Sequence, residues 1–267
     1  MTDKHQFGSS DEHDSAGQPW AGREFASNNF AEDDGTASAM FLDAVAAFRA
    51  TELFSEERAH ALRKAVDVVR ITRFLVPLVP QAGEVGTTAN GLAVDKTQEL
   101  SIVHLEGPDN TRALPVFSSV AAMQAWRAEA RPVPTSGLQV ARAAVDDAVD
   151  LIVIDPTSES ELVLRARTFE AIADERLWIP PFLDSDLARA FNAPAEGDPF
   201  VRRVTLSAGD PDARGMGPEL VVEVQMVSGL SQAEVEKVMG KLTGAWGEVT
   251  TLNQRISSML VRVVAAE

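Results

Sequence analysis

The chain contains no cysteine, so disulfides, thiolate nucleophiles and thiolate metal sites are all excluded. Histidine is scarce. The four present (His5, His13, His60 and His104) are scattered along the chain instead of spaced as metal ligands. No run approaches the roughly 18 apolar residues of a membrane-spanning helix, so no membrane partner is expected. The start, MTDKHQFGSSDEHDS, has no apolar run either, which argues against a secretory signal and makes the cytoplasm the expected location. Catalytic signatures are missing too: there is no Walker loop, no G-x-S-x-G elbow, no H-E-x-x-H and no EF-hand loop. No cofactor is therefore expected. Lysine is sparse beside arginine and alanine is abundant, a bias suggesting a high-GC bacterial source.

What the chain has in excess is negative charge. The formal net charge is −16 over 267 residues, and a polyanion is repelled by nucleic-acid phosphates, so nucleic acid is not an expected partner. The first 40 residues carry eight acidic and two basic side chains, a net of −6, leaving −10 for the remainder. Residues 1–37 mix Ser, Asp, Glu, Gly, Asn and Gln with isolated Trp20, Phe25 and Phe30. Such a segment buries too little apolar surface to offset its ordering entropy and reads as a disordered acidic tail.

Helical spacing begins near Ser38, where Phe41, Ala44, Val45 and Phe48 recur at three and four residues. Ser55 then has the character of an N-cap, with Glu56 and Glu57 in the first turn and Ala59, Leu62, Val66 and Val69 as a buried stripe. ITRFLVPLVP (71–80) is apolar on both faces, as a covered strand is. Pro77 demands an unpaired side there. A polar loop (81–91) leads to strands at 98–105 and 111–117, which Gly107-Pro108-Asp109-Asn110 should join as a hairpin. Ser118 or Ser119 caps the next helix, which Arg131-Pro132-Val133-Pro134 is expected to end as a turn. Ser136 caps a further helix with Leu138, Ala141, Val145 and Ala148 inward. LIVIDP (151–156) and ELVLRA (161–166) read as a buried strand and its hairpin partner, and a helix starting at Thr168 buries Phe169 and Ile172.

NAPAEGDP (192–199) is the best linker in the chain. Beyond it, strands at 200–208 and 218–227 flank the loop GDPDARGMG. Ser231 and Glu234 form a capping box for a helix, and a strand at 256–265 completes a β-β-α-β order. The fold class is thus α/β (α+β): a mixed sheet covered by helices over 38–191, the linker, and a small two-layer α+β module over 200–267.

Three side chains stand out as a candidate protein-interaction surface: Arg112, Trp126 and Arg131, an aromatic flanked by arginines and prolines. The opposing expectation is that Trp126 fills core and Arg131 caps a helix end. Asp155 closes a buried strand, where α/β enzymes place catalytic carboxylates; a turn-forming Asp-Pro is the preferred explanation. Asp184-Ser185-Asp186 reads as an N-cap in preference to a metal site.

The order RALPVFSSVAAMQAW (112–126), ARPVP (130–134), a helix and LIVIDP (151–156) resembles the SseB protein N-terminal domain. The motif Leu-Pro-x-Phe-[Ser/Thr]-Ser is met at Leu114–Ser118, and the likeness covers about residues 70–175. It implies an α/β domain of the kind found in actinobacterial SseB-like proteins, which are often labelled as related to type III secretion, and it supplies no catalytic residues. The expected function is a non-enzymatic, protein-binding or regulatory role. The alternatives are an enzyme using carboxylates near Asp155 and the 81–91 loop, or a component associated with type III-like secretion.

Overall fold

A computed structural model describes residue 30 and residues 33–80, 100–107 and 110–266. Most of the 1–37 tail, and the 81–91 loop, lie outside the described residues. Within residues 1–34, the Asp33 amide donates to the Phe30 carbonyl at 3.0 Å.

Two helices open the remainder, α1 (Ala39–Ala50) and α2 (Glu56–Ile71), and Ser55 caps α2 by accepting the Arg58 amide. They pack on a sheet whose central strand is β1 (Arg73–Pro80), with Phe74 and Leu75 each 1% exposed on opposite faces. The segment expected as one strand at 98–105 divides into β2 (Leu100–Ile102), paired to β1, and β3 (Leu105–Glu106), paired to β4 (Arg112–Val116). The hairpin is therefore shorter than its sequence suggests. Two Leu75–Phe117 backbone hydrogen bonds of 2.8 and 2.9 Å tie β1 to the end of β4. Pro77 falls between that bridge and the β2 pairing, so its missing N–H breaks no ladder bond.

After α3 (Val120–Trp126), which is capped by Ser119, the chain corrects a sequence expectation. Arg131-Pro132-Val133-Pro134 is not a turn but the start of edge strand β5 (Arg131–Ser136), antiparallel to β1. Leu75 spends its N–H and C=O on Phe117, so its opposite number, Pro134, is a non-hydrogen-bonded partner whose nitrogen faces outward. Pro132 has the same parity. Both prolines thus sit where an edge strand tolerates them.

Ser136 caps α4 (Gly137–Asp146), and the Gly137 amide donates to Thr72 O at 2.8 Å. A Cβ on Gly137 would lie 1.9 Å from the Val69 carbonyl oxygen, so only glycine admits this approach of α4 to α2. The buried face of α4 is Val140, Ala141 and Ala144, while Val145 is 42% exposed. The packed face is turned from the expected one, because Ala141 and Ala144 let α4 lie close to its neighbours while Val145 and Ala148 stay at the surface. β6 (Leu151–Ile154) runs parallel to β4, and β7 (Leu162–Arg165) returns antiparallel to it. α5 (Ala166–Ala173) begins two residues before Thr168 and buries Phe169 and Ile172. Phe74, Val76, Leu114, Val116, Ile152 and Ile154 face the main core beneath α1, α2, α4 and α5. Leu75, Phe117 and Met123 form a smaller cluster under α3. The class is α/β with a mixed sheet, as the sequence predicts.

Asp184 caps α6 (Ser185–Asn192), accepting the Asp186 and Leu187 amides. β8 (Val201–Ala208) pairs antiparallel with β9 (Leu220–Met226). α7 (Gln232–Gly247), with the Ser231–Glu234 capping box, and α8 (Thr250–Arg255) carry the chain to β10 (Met259–Ala265), parallel to β9. Val222, Val224, Leu242 and Trp246 centre this core, to which α6 adds Leu187 and Phe191. The Trp246 indole N–H donates to Phe191 O at 3.0 Å.

Candidate functional site

Asp155 stands just past β6, at the C-terminal ends of the parallel pair β4 and β6. It is 1% exposed and left-handed, at φ 48°. One carboxylate oxygen accepts the Ser118 amide at 2.7 Å; the other accepts the Ser118 hydroxyl at 2.6 Å and the Ser160 hydroxyl at 2.7 Å. The Asp155 amide donates to Val116 O at 2.9 Å. Local chemistry explains the geometry: a short polar side chain tolerates the left-handed turn, and a buried carboxylate is stable where donors surround it. Glu161, close in sequence, is occupied as well, accepting the Thr157 amide at 2.6 Å and facing Arg214 at 3.4 Å. The arrangement locks the β6–β7 turn to the β4–α3 junction.

The three residues expected as an interaction surface do not all meet. Arg112 opens β4 and donates to Asp147 O at 3.0 Å, in a polar cluster where His104 Nε2 lies 3.1 Å from Asp147. Trp126 packs on Phe117, past the opposite end of that strand, whose length is about 15 Å at strand rise. It is half-buried, its ring tilted 38° over Phe117 at 5.2 Å, with the Arg127 guanidinium 5.0 Å above its centroid. Arg131 follows on β5. It is exposed, and among the described residues its guanidinium has no ion-pair partner. Trp126, Arg127, Arg131 and the exposed Val133 therefore share the α3–β5 region, and Arg112 belongs elsewhere.

The loop between β8 and β9 carries contacts that local pattern did not reveal. Ala213 is 7% exposed within the main core, and its carbonyl accepts the Val163 amide at 2.8 Å, continuing the sheet beyond β7. Arg58, buried at 5% exposure, holds this loop: Nε donates to Pro211 O at 2.8 Å, Nη1 to Phe48 O and Thr51 O at 3.1 and 2.7 Å, and Nη2 to Asp212. Its guanidinium lies 4.5 Å from the Phe48 ring centroid. Arg49 adds hydrogen bonds to Asp212 and to Glu161 O, and its pKa is lowered by burial and by the neighbouring Arg214. Arg165 pairs with the buried Asp210 at 3.1 Å.

Behind the loop lies a cavity of about 40 Å³, lined in part by Arg165, Thr168, Trp178, Asp210 and Glu219, with room for about one water-sized molecule. Glu219 Oε1 and Trp178 Nε1 are buried there without a partner among the described residues. Burial pushes the Glu219 carboxyl up, although its Oε2 accepts the Ser257 amide at 2.6 Å and Arg165 stands near. The folded chain thus keeps the proton over a pH window in which the unfolded chain has already lost it. Stability contributed here falls as pH rises through that window. Urea midpoints followed from pH 4 to 8 should show wild type losing stability relative to Glu219→Gln as pH rises. Parallel profiles would refute this.

A second groove of about 370 Å³ runs along α5, α6 and α8, a small-molecule size. Its three arginines are each paired with acids of the chain: Arg167 with Glu170, Arg176 with Asp174 and Arg255 with Asp184. Among the described residues, no group of three His, Asp or Glu side chains gathers as a metal site would.

Fold and site together define a mixed-sheet α/β domain in which Asp155, Arg58 and Arg165 each find their partners within the chain. Residues 43–181 match the SseB protein N-terminal domain, and the chain belongs to that family. The match reaches back through α2 into α1, beyond the span legible from sequence motifs. No curated protein and no solved structure matches the chain. Among the described residues no helix is long and apolar enough to cross a membrane.

Proposed function

We propose that this SseB-family chain is a non-enzymatic protein-binding module, and that Trp126, Arg127 and Arg131 form its recognition patch. The observation that carries the reading is the Trp126–Arg127 stack followed, four residues on, by the exposed Arg131, which has no ion-pair partner among the described residues of a protein whose net charge is −16. Tryptophan and arginine dominate binding hot spots because they bury large area and desolvate usefully. Arg127 is already 3.7 Å from Glu129, so Arg131 supplies the positive charge that selects an acidic partner segment. The carboxylate at Asp155 supports the same reading from the other side, since three internal donors already occupy its oxygens.

The test is affinity capture from the source cell with wild type and Arg131→Glu, quantified by mass spectrometry. A partner recovered with wild type and depleted about tenfold by the variant, at unchanged circular dichroism, is the expected result. Identical capture by both chains removes the patch from consideration.

A further inference from the structure

We propose that the outer edge of β10 is a self-association surface through which two copies of the chain join by antiparallel strand pairing. β10 is the end strand of the order β10-β9-β8, and no described strand pairs with its outer side. Its orientation follows from two bonds: Ser258 O accepts the Leu220 amide at 3.1 Å, and the Ala266 amide donates to Met226 O at 2.6 Å. Residues of even number therefore turn their backbone polar groups toward β9. Met259, Val261, Val263 and Ala265 turn theirs outward, where they have no partner strand.

The other long edges are protected. Pro132 and Pro134 remove the outward donors of β5, and Asn192 donates to Val204 O on β8 at 3.2 Å. β10 has no proline, and its single charge, Arg262, is already matched to Glu223 at 2.6 Å. Met259, Leu260 and Val263 are 47%, 52% and 40% exposed. Through the register with β9, Met259 and Val263 lie on the face of Leu220 and Val224, so apolar core surface runs on to an edge that α7 and α8 leave uncovered. A long, mostly apolar edge whose one charge is already paired within its own sheet is a template for another strand.

A second copy suits this edge better than a flexible peptide, because it brings a strand already ordered. Centred on Arg262, an antiparallel pair sets Val261 against Val263 and Met259 against Ala265 as hydrogen-bonded partners, with Leu260 against Val264 between them. Every opposed pair is apolar except the two Arg262 side chains, each neutralised by its own Glu223. The result is a continuous six-stranded sheet. Because each copy carries −16, association strengthens as salt screens their repulsion.

Sedimentation velocity of the full chain from 1 to 200 µM, at 50 and 500 mM NaCl, should show a monomer–dimer equilibrium that tightens at the higher salt. Val263→Lys, at an exposed position, should weaken it at least tenfold. Amide exchange supplies a readout that needs no variant. On raising the concentration, protection should increase at residues 259, 261, 263 and 265, while 260, 262 and 264 stay protected throughout. Wild type that is monomeric at 200 µM in both salts overturns the proposal. So does a dimer indifferent to Val263→Lys, or protection gained without the odd–even alternation.

Discussion

Asp155→Ala should lower the stability of the chain by about 3 kcal/mol, because it leaves the Ser118 amide, the Ser118 hydroxyl and the Ser160 hydroxyl without their buried acceptor. Alanine also fits the left-handed turn at φ 48° poorly. Asp155→Asn keeps an acceptor oxygen and tolerates that backbone, so its cost should be smaller, about 1 kcal/mol. Urea denaturation of the three chains measures both. A structural pin gives this graded loss. A carboxylate kept for chemistry gives a different result: Asp155→Ala would leave the midpoint in place, or raise it, since active-site acids are commonly held at the expense of stability.

Arg58→Ala should cost a similar amount, about 3 kcal/mol, through another route. The guanidinium joins the α1–α2 turn, at Phe48 O and Thr51 O, to the β8–β9 loop, at Pro211 O and Asp212. Without it, the loop loses its principal anchor. The Val163 amide, which donates to Ala213 O, should then exchange with solvent far faster than in wild type while amides of β6 change little. Equal protection at Val163 in both chains would show that the loop is held by Arg165 and Asp210 instead.

Much of the fold could be read from local chemistry. Ser55, Ser119, Ser136, Asp184 and Ser231 each cap the helix that their residue types announce, since capping is decided within three or four residues. LIVIDP is the buried strand it resembles. Where the reading failed, the deciding interaction lay far along the chain. Arg131-Pro132-Val133-Pro134 has a turn's composition, and only pairing to β1 makes it a strand. The placing of Phe191 against Trp246, and of Arg58 against Pro211, spans 55 and 153 residues. No periodicity signals such contacts. Of the candidate residues, Trp126 packs on Phe117 and Arg131 opens β5, whereas Arg112 donates to Asp147 in a separate polar cluster, a contact across 35 residues that local sequence does not signal.

The docking of residues 209–217 on α1 and α2 also imposes an order of events during synthesis. The receiving site is made within the first third of the chain, yet its occupant leaves the ribosome more than 150 residues later. Until then the Nε and Nη2 donors of Arg58 lack their acceptors, and so, once β7 has been made, does the Val163 amide. Closure must await a loop whose ends are costly to bring together, so the final consolidation of the family domain is timed by a segment outside its sequence boundaries.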